Sequence, residues 1–161
     1  LRLRHPQLAE RVTLLLVGSI RQPGYLDDLA LPHIALGSIR DRAQLASIYA
    51  SSDALLSTSI YETFGQTLVE ALSVGTPALS FRCSGPEDII IDGVNGYLIP
   101  AFDTETYADR LALLLEREPC AEGAFSPKTC RESALRFGAP AIATRLVELY
   151  LSALGSTPSV H

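Results

Sequence analysis

The chain has 161 residues, of which 47% are hydrophobic and 19% charged, and its formal net charge is −5. This length is typical of one domain with a sizeable core, and the acidic balance argues against a nucleic-acid partner. Three cysteines suit a reducing compartment better than a disulfide framework. Because no apolar run reaches 18 residues and no signal peptide is found, we expect a cytoplasmic protein.

Short apolar runs alternate with amphipathic stretches, and this alternation predicts strands and helices in turn. The first run, RVTLLLVGS, has the continuous apolar pattern of a strand that is buried on both faces of a parallel sheet. The predicted strands cover residues 11–19, 33–38, 53–58, 76–81 and 95–100. The predicted helices cover 41–52, 65–75, 103–118, 126–138 and 139–154, with a weak one at 23–32 and a short turn at 86–91.

Strand–helix alternation with short Gly-containing connections predicts an α/β domain with a Rossmann-like parallel sheet flanked by helices. We expect this domain to span residues 1–154, and residues 155–161 to form a flexible C-terminal tail. Ligands of such sheets bind outside the carboxyl ends of the strands, so the segments that follow the strands should share one rim. These rim segments are residues 18–19, 37–40, 59–65 and 82–87.

The rim segment after the third strand leads into the helix at 65–75, within the sequence SIYETFGQTLVEALSVGTP. Gly75 suits the left-handed residue that follows a helix, and Pro77 prevents continuation of the helix. Glu70 flanks the apolar stripe that should face the sheet. The stripe consists of Phe64, Leu68, Ala71 and Leu72.

The N-terminal end of this helix is a candidate phosphate site, because the first backbone amides of a helix lack helical partners. The amides belong to Phe64, Gly65, Gln66 and Thr67, and Thr63 or a neighbour is the expected N-cap. Since carboxylates and phosphates repel each other, Glu62 and Glu70 should face neutral hydroxyl groups on either side. Two such acids suit a sugar nucleotide, although the spacing alone fits ordinary surface acids better.

The remaining rim segments carry weaker signals. Residues 84–87 fit a ligand contact and a plain loop equally well, and Asp92-Gly93 and Asn95-Gly96 predict turns. The chain has no Gly-rich dinucleotide fingerprint, no Gly-Lys-Ser/Thr phosphate loop and no Gly-x-Ser-x-Gly elbow. Because the histidines are scattered and the cysteines lack CxxC spacing, we expect neither a hydrolase triad nor a metal site.

The sequence from residue 59 to residue 98 resembles the C-terminal, donor-binding domain of retaining GT-B glycosyltransferases of the glycosyl transferases group 1, or family 4, type. The family pattern is roughly S-x-x-E-x-F-G-x-x-x-x-E-A-x-x-x-G-x-P, followed by G-x-x-E-I-I-x-D-G-x-N-G-x-L. This chain has SIYETFGQTLVEALSVGTP and SGPEDIIIDGVNGYL at these places. The flanking segments agree with the family as well. The resemblance favours a ligand-binding role for Glu62 and Glu70 over that of ordinary surface acids.

The resemblance implies one half of a GT-B fold that binds a UDP- or GDP-sugar and takes part in hexosyl transfer. Glu62 would contact the donor sugar near the reaction centre, and Glu70 would hold the ribose hydroxyls. The other implied donor-binding positions are the amides of Phe64, Gly65 and Gln66, the residue Thr67 beside the diphosphate, Ile39 and Arg40 near the base, and Gly18 after the first strand.

The resemblance also implies that the nucleotide sugar is a substrate and that no cofactor is needed. A saccharide or lipid-linked acceptor, and any peripheral membrane contact, would belong to an N-terminal domain upstream of Leu1, so we expect this chain to bind donor without turnover. A non-catalytic nucleotide-sugar-binding or interaction module is the alternative. An epimerase of the same fold would account for the two acids less well. A phosphorylase would need a lysine that holds pyridoxal phosphate, whereas Lys128 lies far from the motif.

Overall fold

The computed structural model describes residues 1–20, 24, 26–118 and 120–155. Strands and helices alternate through most of this part of the chain, as the sequence predicts. The strands are β1 (Leu14–Val17), β2 (His33–Gly37), β3 (Leu55–Ser57), β4 (Ala78–Phe81) and β5 (Gly96–Ile99). The helices are α1 (Pro6–Ala9), α2 (Arg42–Ala50), α3 (Gln66–Val74), α4 (Ser84–Ile89), α5 (Thr104–Glu116), α6 (Pro127–Ala134) and α7 (Ala139–Ala153), with a 3-10 turn at Leu135–Phe137.

All strand pairs in the described part of the chain are parallel, which confirms the predicted α/β class, but they form two sheets. β1 pairs with β2, and a second sheet has the order β3-β4-β5. The central strand β4 is buried along its whole length. Since successive side chains of a strand point to opposite faces, β4 contributes to two separate cores.

One core lies on the face of β4 that carries Ala78, where α3, α4 and α6 cover the sheet. The other lies on the face of Leu79 and Phe81, where α5 contributes Tyr107, Leu111 and Leu114. Leu68 and Leu72 of α3 are 1% and 0% exposed, so the predicted apolar stripe of that helix does face the sheet. The first core holds α3 on the three-stranded sheet, and Ile60 of the loop before α3 packs against the second core.

The first sheet is much less buried than the sequence predicts. Leu15 and Val17 of β1 are 40% and 42% exposed, and Ile34 and Leu36 of β2 lie similarly open. The prediction that the first strand is buried on both faces is therefore wrong. Exposed residues alternate with partly buried ones along β1, and all residues of β2 after His33 are exposed, which an apolar sequence run by itself does not reveal.

The predicted helices are largely confirmed, with local differences. Residues 84–89 form a helix instead of a turn, Pro6 opens a short helix that was not predicted, and the helix predicted at 126–138 divides into α6 and the 3-10 turn. The described residues of the weak helix at 23–32 form turns and irregular structure. Part of that segment, and residues 156–161 of the predicted tail, lie outside the described residues.

The N-terminal segment is held against α5 by charge. Arg4 donates from Nε to Asp109 Oδ1 at 2.7 Å and from Nη2 to Oδ2 at 2.6 Å, and His5 Nε2 lies 2.8 Å from Oδ1. The hydrogen bond from Arg4, followed by that from His5, lowers the pKa of Asp109 to about 2. Arg4 is thus part of a structural contact between the N-terminal segment and α5. Among the described helices, none is long and apolar enough to cross a membrane.

Candidate functional site

The loop between β3 and α3 ends in a glycine that starts the helix. Gly65 is the N-cap of α3, with φ at +95°, a left-handed conformation that glycine adopts without steric cost. The residue is buried beside Leu68 and Ile89, where a Cβ atom would come within 2.9 Å and 3.3 Å of their side chains. The N-cap thus lies two positions beyond Thr63, and the prediction of Thr63 is wrong because the chain needs a positive φ where it turns into the helix.

The amides at the start of α3 are only partly free. The amides of Leu68 and Val69 both donate to the carbonyl of Gly65, and the amide of Phe64 donates to Glu62 Oε1 at 3.3 Å. Within the described part of the chain, the amides of Gly65, Gln66 and Thr67 have no acceptor. These three, together with the positive end of the helix dipole, form the anion-attracting surface.

Phe64 differs from its predicted place in the stripe that faces the sheet. Its side chain is 44% exposed and meets the ring of Phe137 edge-on, with centroids 5.8 Å apart. The residue precedes the helix, so the helical spacing used to predict its direction does not apply to it. Its backbone, in contrast, lies close to Gly85 of α4.

The loop that carries Glu62 packs directly on α4. The amide of Gly85 donates to the carbonyl of Glu62 at 3.0 Å. A Cβ atom on Gly85 would lie 2.4 Å from the carbonyl oxygen of Phe64, so the contact leaves no room for a larger residue. Residues 84–87 of the rim therefore pack directly against the Glu62 loop. Arg82, just before this segment, forms an ion pair with Glu87 at 3.2 Å.

Glu70 lies half-buried on α3, one turn beyond Gln66. Its Oε1 accepts from Gln66 Nε2 at 3.1 Å, and its Oε2 accepts from Tyr49 Oη at 3.3 Å. The sequence patterns do not single out Tyr49, which lies on the partly buried face of α2 together with Leu45 and Ile48. The available signal was that a tyrosine on such a face needs a partner for its hydroxyl group.

The end of α3 is formed as the sequence predicts. Gly75 has φ at +99°, its amide donates to Leu72, and the amide of Thr76 donates to Ala71, which is a Schellman motif. The hydroxyl of Thr76 donates to the carbonyl of Tyr49 at 2.6 Å. This contact fastens the last turn of α2 to the point where α3 stops.

The residues after β1 and β2 form a separate part of the rim. The amide of Gly18 donates to the carbonyl of Gly37 at 2.8 Å, and the hydroxyls of Ser19 and Ser38 lie 2.9 Å apart. Ile39 and Arg40 follow and lead into α2. Among the described residues, no hydrogen bond or ion pair joins Gly18, Ile39 or Arg40 to Glu62 or Glu70, so the link between the two parts of the rim runs through α2 and Tyr49.

The turns predicted around residues 92–96 are structural. Asn95 is completely buried; its Oδ1 accepts from the amide of Ile91 at 2.8 Å, and its Nδ2 donates to Ile89 and to Ser133 Oγ. Asp92 accepts from the amide of Leu98 at 2.8 Å. Over residues 1–20, 24, 26–118 and 120–155, no three His, Cys, Asp or Glu side chains come together as a possible metal site.

Comparisons with known proteins agree with this fold. A D-inositol 3-phosphate glycosyltransferase of Saccharomonospora viridis is 30% identical over 164 residues, which cover 95% of this chain and 37% of that protein. The sucrose-phosphate synthase of Thermosynechococcus elongatus is 27% identical, with a TM-score of 0.69 over 89% of this chain and 39% of that one.

HepE of Anabaena, solved in complex with UDP-glucose, has the same fold, with a TM-score of 0.69, 24% identity and coverage of 91% of this chain and 43% of that one. The chain spans less than half the length of each of these proteins, and the likeness confirms the predicted fold as one half of a GT-B fold. A family model described as "Glycosyl transferases group 1" matches residues 6–130. The chain belongs to the glycosyl transferases group 1 family.

Proposed function

We propose that this chain is the donor-binding part of a retaining glycosyltransferase and that it binds a UDP- or GDP-sugar at the start of α3. The observation that supports this most directly is the set of amides at Gly65, Gln66 and Thr67, which have no acceptor among the described residues. The set lies between the carboxylates of Glu62 and Glu70. It offers donors to a diphosphate, and the acids offer acceptors to hydroxyl groups on either side of it.

The diphosphate would occupy the helix start. A helix N-terminus carries the equivalent of about half a positive charge, and backbone amides aimed at a phosphate need no reorganisation during the reaction. Negative charge grows on the leaving diphosphate as the bond to the sugar breaks, so the same amides would stabilise that charge more strongly in the transition state than in the bound donor.

The two acids would bind hydroxyl groups at the two ends of the donor. Glu70 accepts one protein hydrogen bond on each carboxylate oxygen, which leaves an acceptor position on each for the ribose hydroxyls. Glu62 accepts on Oε1 from the amide of Phe64, and in the described part of the chain its Oε2 has no donor. That oxygen is the acceptor we assign to a hydroxyl of the transferred sugar.

In the reaction we infer, the oxygen of the acceptor hydroxyl bonds to the anomeric carbon from the face that the diphosphate leaves, its proton passes to the departing diphosphate, and the anomeric configuration is retained. The sugar passes through an oxocarbenium-like state, for which a protein nucleophile is not required. The acceptor, a saccharide or a lipid-linked saccharide, would be bound by protein outside this segment, since the chain covers only 37% of the D-inositol 3-phosphate glycosyltransferase.

Titration of the 161-residue chain with UDP-glucose and GDP-mannose, followed by amide NMR, tests the proposal. We expect the largest shifts at Gly65, Gln66 and Thr67 for one of the two donors. Glu70→Ala should weaken that binding about tenfold or more, because it removes charged acceptors for two hydroxyls. Glu132→Ala, the same change on the exposed face of α6, is the control and should leave affinity unchanged.

Two results would overturn the proposal. If neither donor shifts the amides at the start of α3, the chain does not bind nucleotide sugars there. If a donor binds but Glu70→Ala and Glu132→Ala have the same affinity as the unmodified chain, Glu70 does not hold the ribose.

A further inference from the structure

Tyr49 reaches Glu70 from a different part of the fold. The tyrosine lies on α2, which follows the two-stranded sheet, whereas Glu70 lies on α3, which packs on the three-stranded sheet. Their contact, from Tyr49 Oη to Glu70 Oε2 at 3.3 Å, spans 21 positions of sequence. It is thus a tertiary contact at the acid to which we assign the ribose.

The contact limits how the carboxylate can rotate. With Oε2 held by Tyr49 and Oε1 held by Gln66, the plane of the carboxylate is defined by one donor on each oxygen. Each oxygen has room for a second donor. The remaining positions form a pair of adjacent acceptors, which is the complement of a vicinal diol such as the 2′- and 3′-hydroxyls of ribose.

Tyr49 is itself held in place. Its carbonyl accepts from the hydroxyl of Thr76 at 2.6 Å, directly after the end of α3, so backbone and side chain of the tyrosine contact α3 at two points. Burial, followed by the charge of Glu70, raises the pKa of Tyr49 to about 12. The hydroxyl therefore keeps its proton at neutral pH and acts as a donor there.

We propose that Tyr49 is a positioning residue for nucleotide recognition: its hydroxyl sets the orientation in which the Glu70 carboxylate accepts both hydroxyls of the ribose. This inference rests on the proposed function, because it takes Glu70 as the ribose acceptor. Tyr49 acts through Glu70 and does not touch the nucleotide.

The test compares two ligands that differ only in one ribose hydroxyl. UDP and 2′-deoxy-UDP, and the corresponding guanosine pair, are titrated into the 161-residue chain and into Tyr49→Phe. For the pair that binds, we expect the unmodified chain to prefer the ribonucleotide about tenfold, the effect of one hydrogen bond to a charged group. In Tyr49→Phe the preference should fall to about twofold or less, because the ribonucleotide loses well-oriented contacts for both hydroxyls and the deoxynucleotide only that for its 3′-hydroxyl.

The ratio of the affinities for the ribonucleotide and the deoxynucleotide distinguishes a positioning role of Tyr49 from a general loss of stability. Tyr107→Phe is the matched control, because it also removes a tyrosine hydroxyl, one that lies within hydrogen-bonding distance of the carbonyls of Ser57 and Leu79 in the core around α5. It should lower the midpoint of thermal unfolding and leave the preference for the ribonucleotide unchanged. If Tyr49→Phe weakens both ligands of a pair equally, or changes neither, Tyr49 has no positioning role.

The remaining outcomes distinguish this inference from the function on which it rests. If the unmodified chain prefers the ribonucleotide and Glu70→Ala abolishes the preference while Tyr49→Phe keeps it, the inference about Tyr49 is wrong and the proposed function stands. If the unmodified chain binds both nucleotides of a pair equally, the assignment of ribose to Glu70 fails, and the role of Tyr49 fails with it. If no nucleotide binds, the proposed function itself is overturned.

Discussion

Replacing Gly85 by alanine should displace the loop that carries Glu62. The added Cβ would lie 2.4 Å, 2.6 Å and 2.7 Å from the carbonyl oxygen, carbonyl carbon and nitrogen of Phe64. These are backbone atoms, which cannot rotate away as the end of a flexible side chain can. The glycine is required here by close approach, since its φ lies outside the positive range.

The size of the displacement follows from the contact distance. An ordinary non-bonded contact of about 3.5 Å requires that Phe64 and Gly85 move apart by about 1 Å. Overpacking of this kind costs about 1–3 kcal/mol of unfolding free energy, and the hydrogen bond from Gly85 to the carbonyl of Glu62 is strained as well. Because the displaced backbone leads into Gly65, donor affinity should fall about tenfold or more through weaker phosphate contacts.

The assay pairs thermal unfolding with donor titration and uses Gly93→Ala as the control. Gly93 has φ at +74° and open space where the methyl group of alanine would lie, so its replacement strains the backbone without pushing on a neighbour. We expect that control to lose about 1–2 kcal/mol of stability and to bind donor normally. Gly85→Ala should lose stability and affinity together.

Either of two outcomes refutes the steric reasoning. If Gly85→Ala keeps the amide resonances of Phe64 and Gly65 in place and binds donor as the unmodified chain does, the Glu62 loop and α4 are not in tight contact. If both variants lose affinity to the same extent, the loss reflects stability alone.

Two further predictions concern the scaffold. Asn95→Ala should cost about 3 kcal/mol of unfolding free energy in a denaturant titration, because it removes three hydrogen bonds of a completely buried side chain, those with Ile91, Ile89 and Ser133; a loss below about 1 kcal/mol would contradict this. The pKa of Asp109, lowered to about 2 by Arg4 and His5, makes the carboxylate stabilising above about pH 4, and that contribution should disappear as the pH falls to 2. In Asp109→Asn this acid-dependent loss should be absent, and an unchanged dependence between pH 4 and pH 2 would refute it.

Local patterns predicted the helix of the site well. The buried stripe at Leu68, Ala71 and Leu72, the left-handed Gly75 and the strand that follows Pro77 all depend on neighbours within a turn or two. Such features follow from helical spacing and from the conformational preferences of glycine and proline. The positions of Glu62 and Glu70 on either side of the helix start follow from the same local order.

The sequence by itself thus determined the α/β class, the order of the elements, the family and the residues to examine. Only the tertiary structure decided that Gly65 starts the helix, that Glu62 accepts from the amide of Phe64, and that Tyr49 contacts Glu70. It also decided that β1 is open to water, where its apolar run predicted burial. The physical reason is that these features depend on how loops close and how separate elements pack, and distances between residues far apart in the chain are not encoded in the period of any one segment.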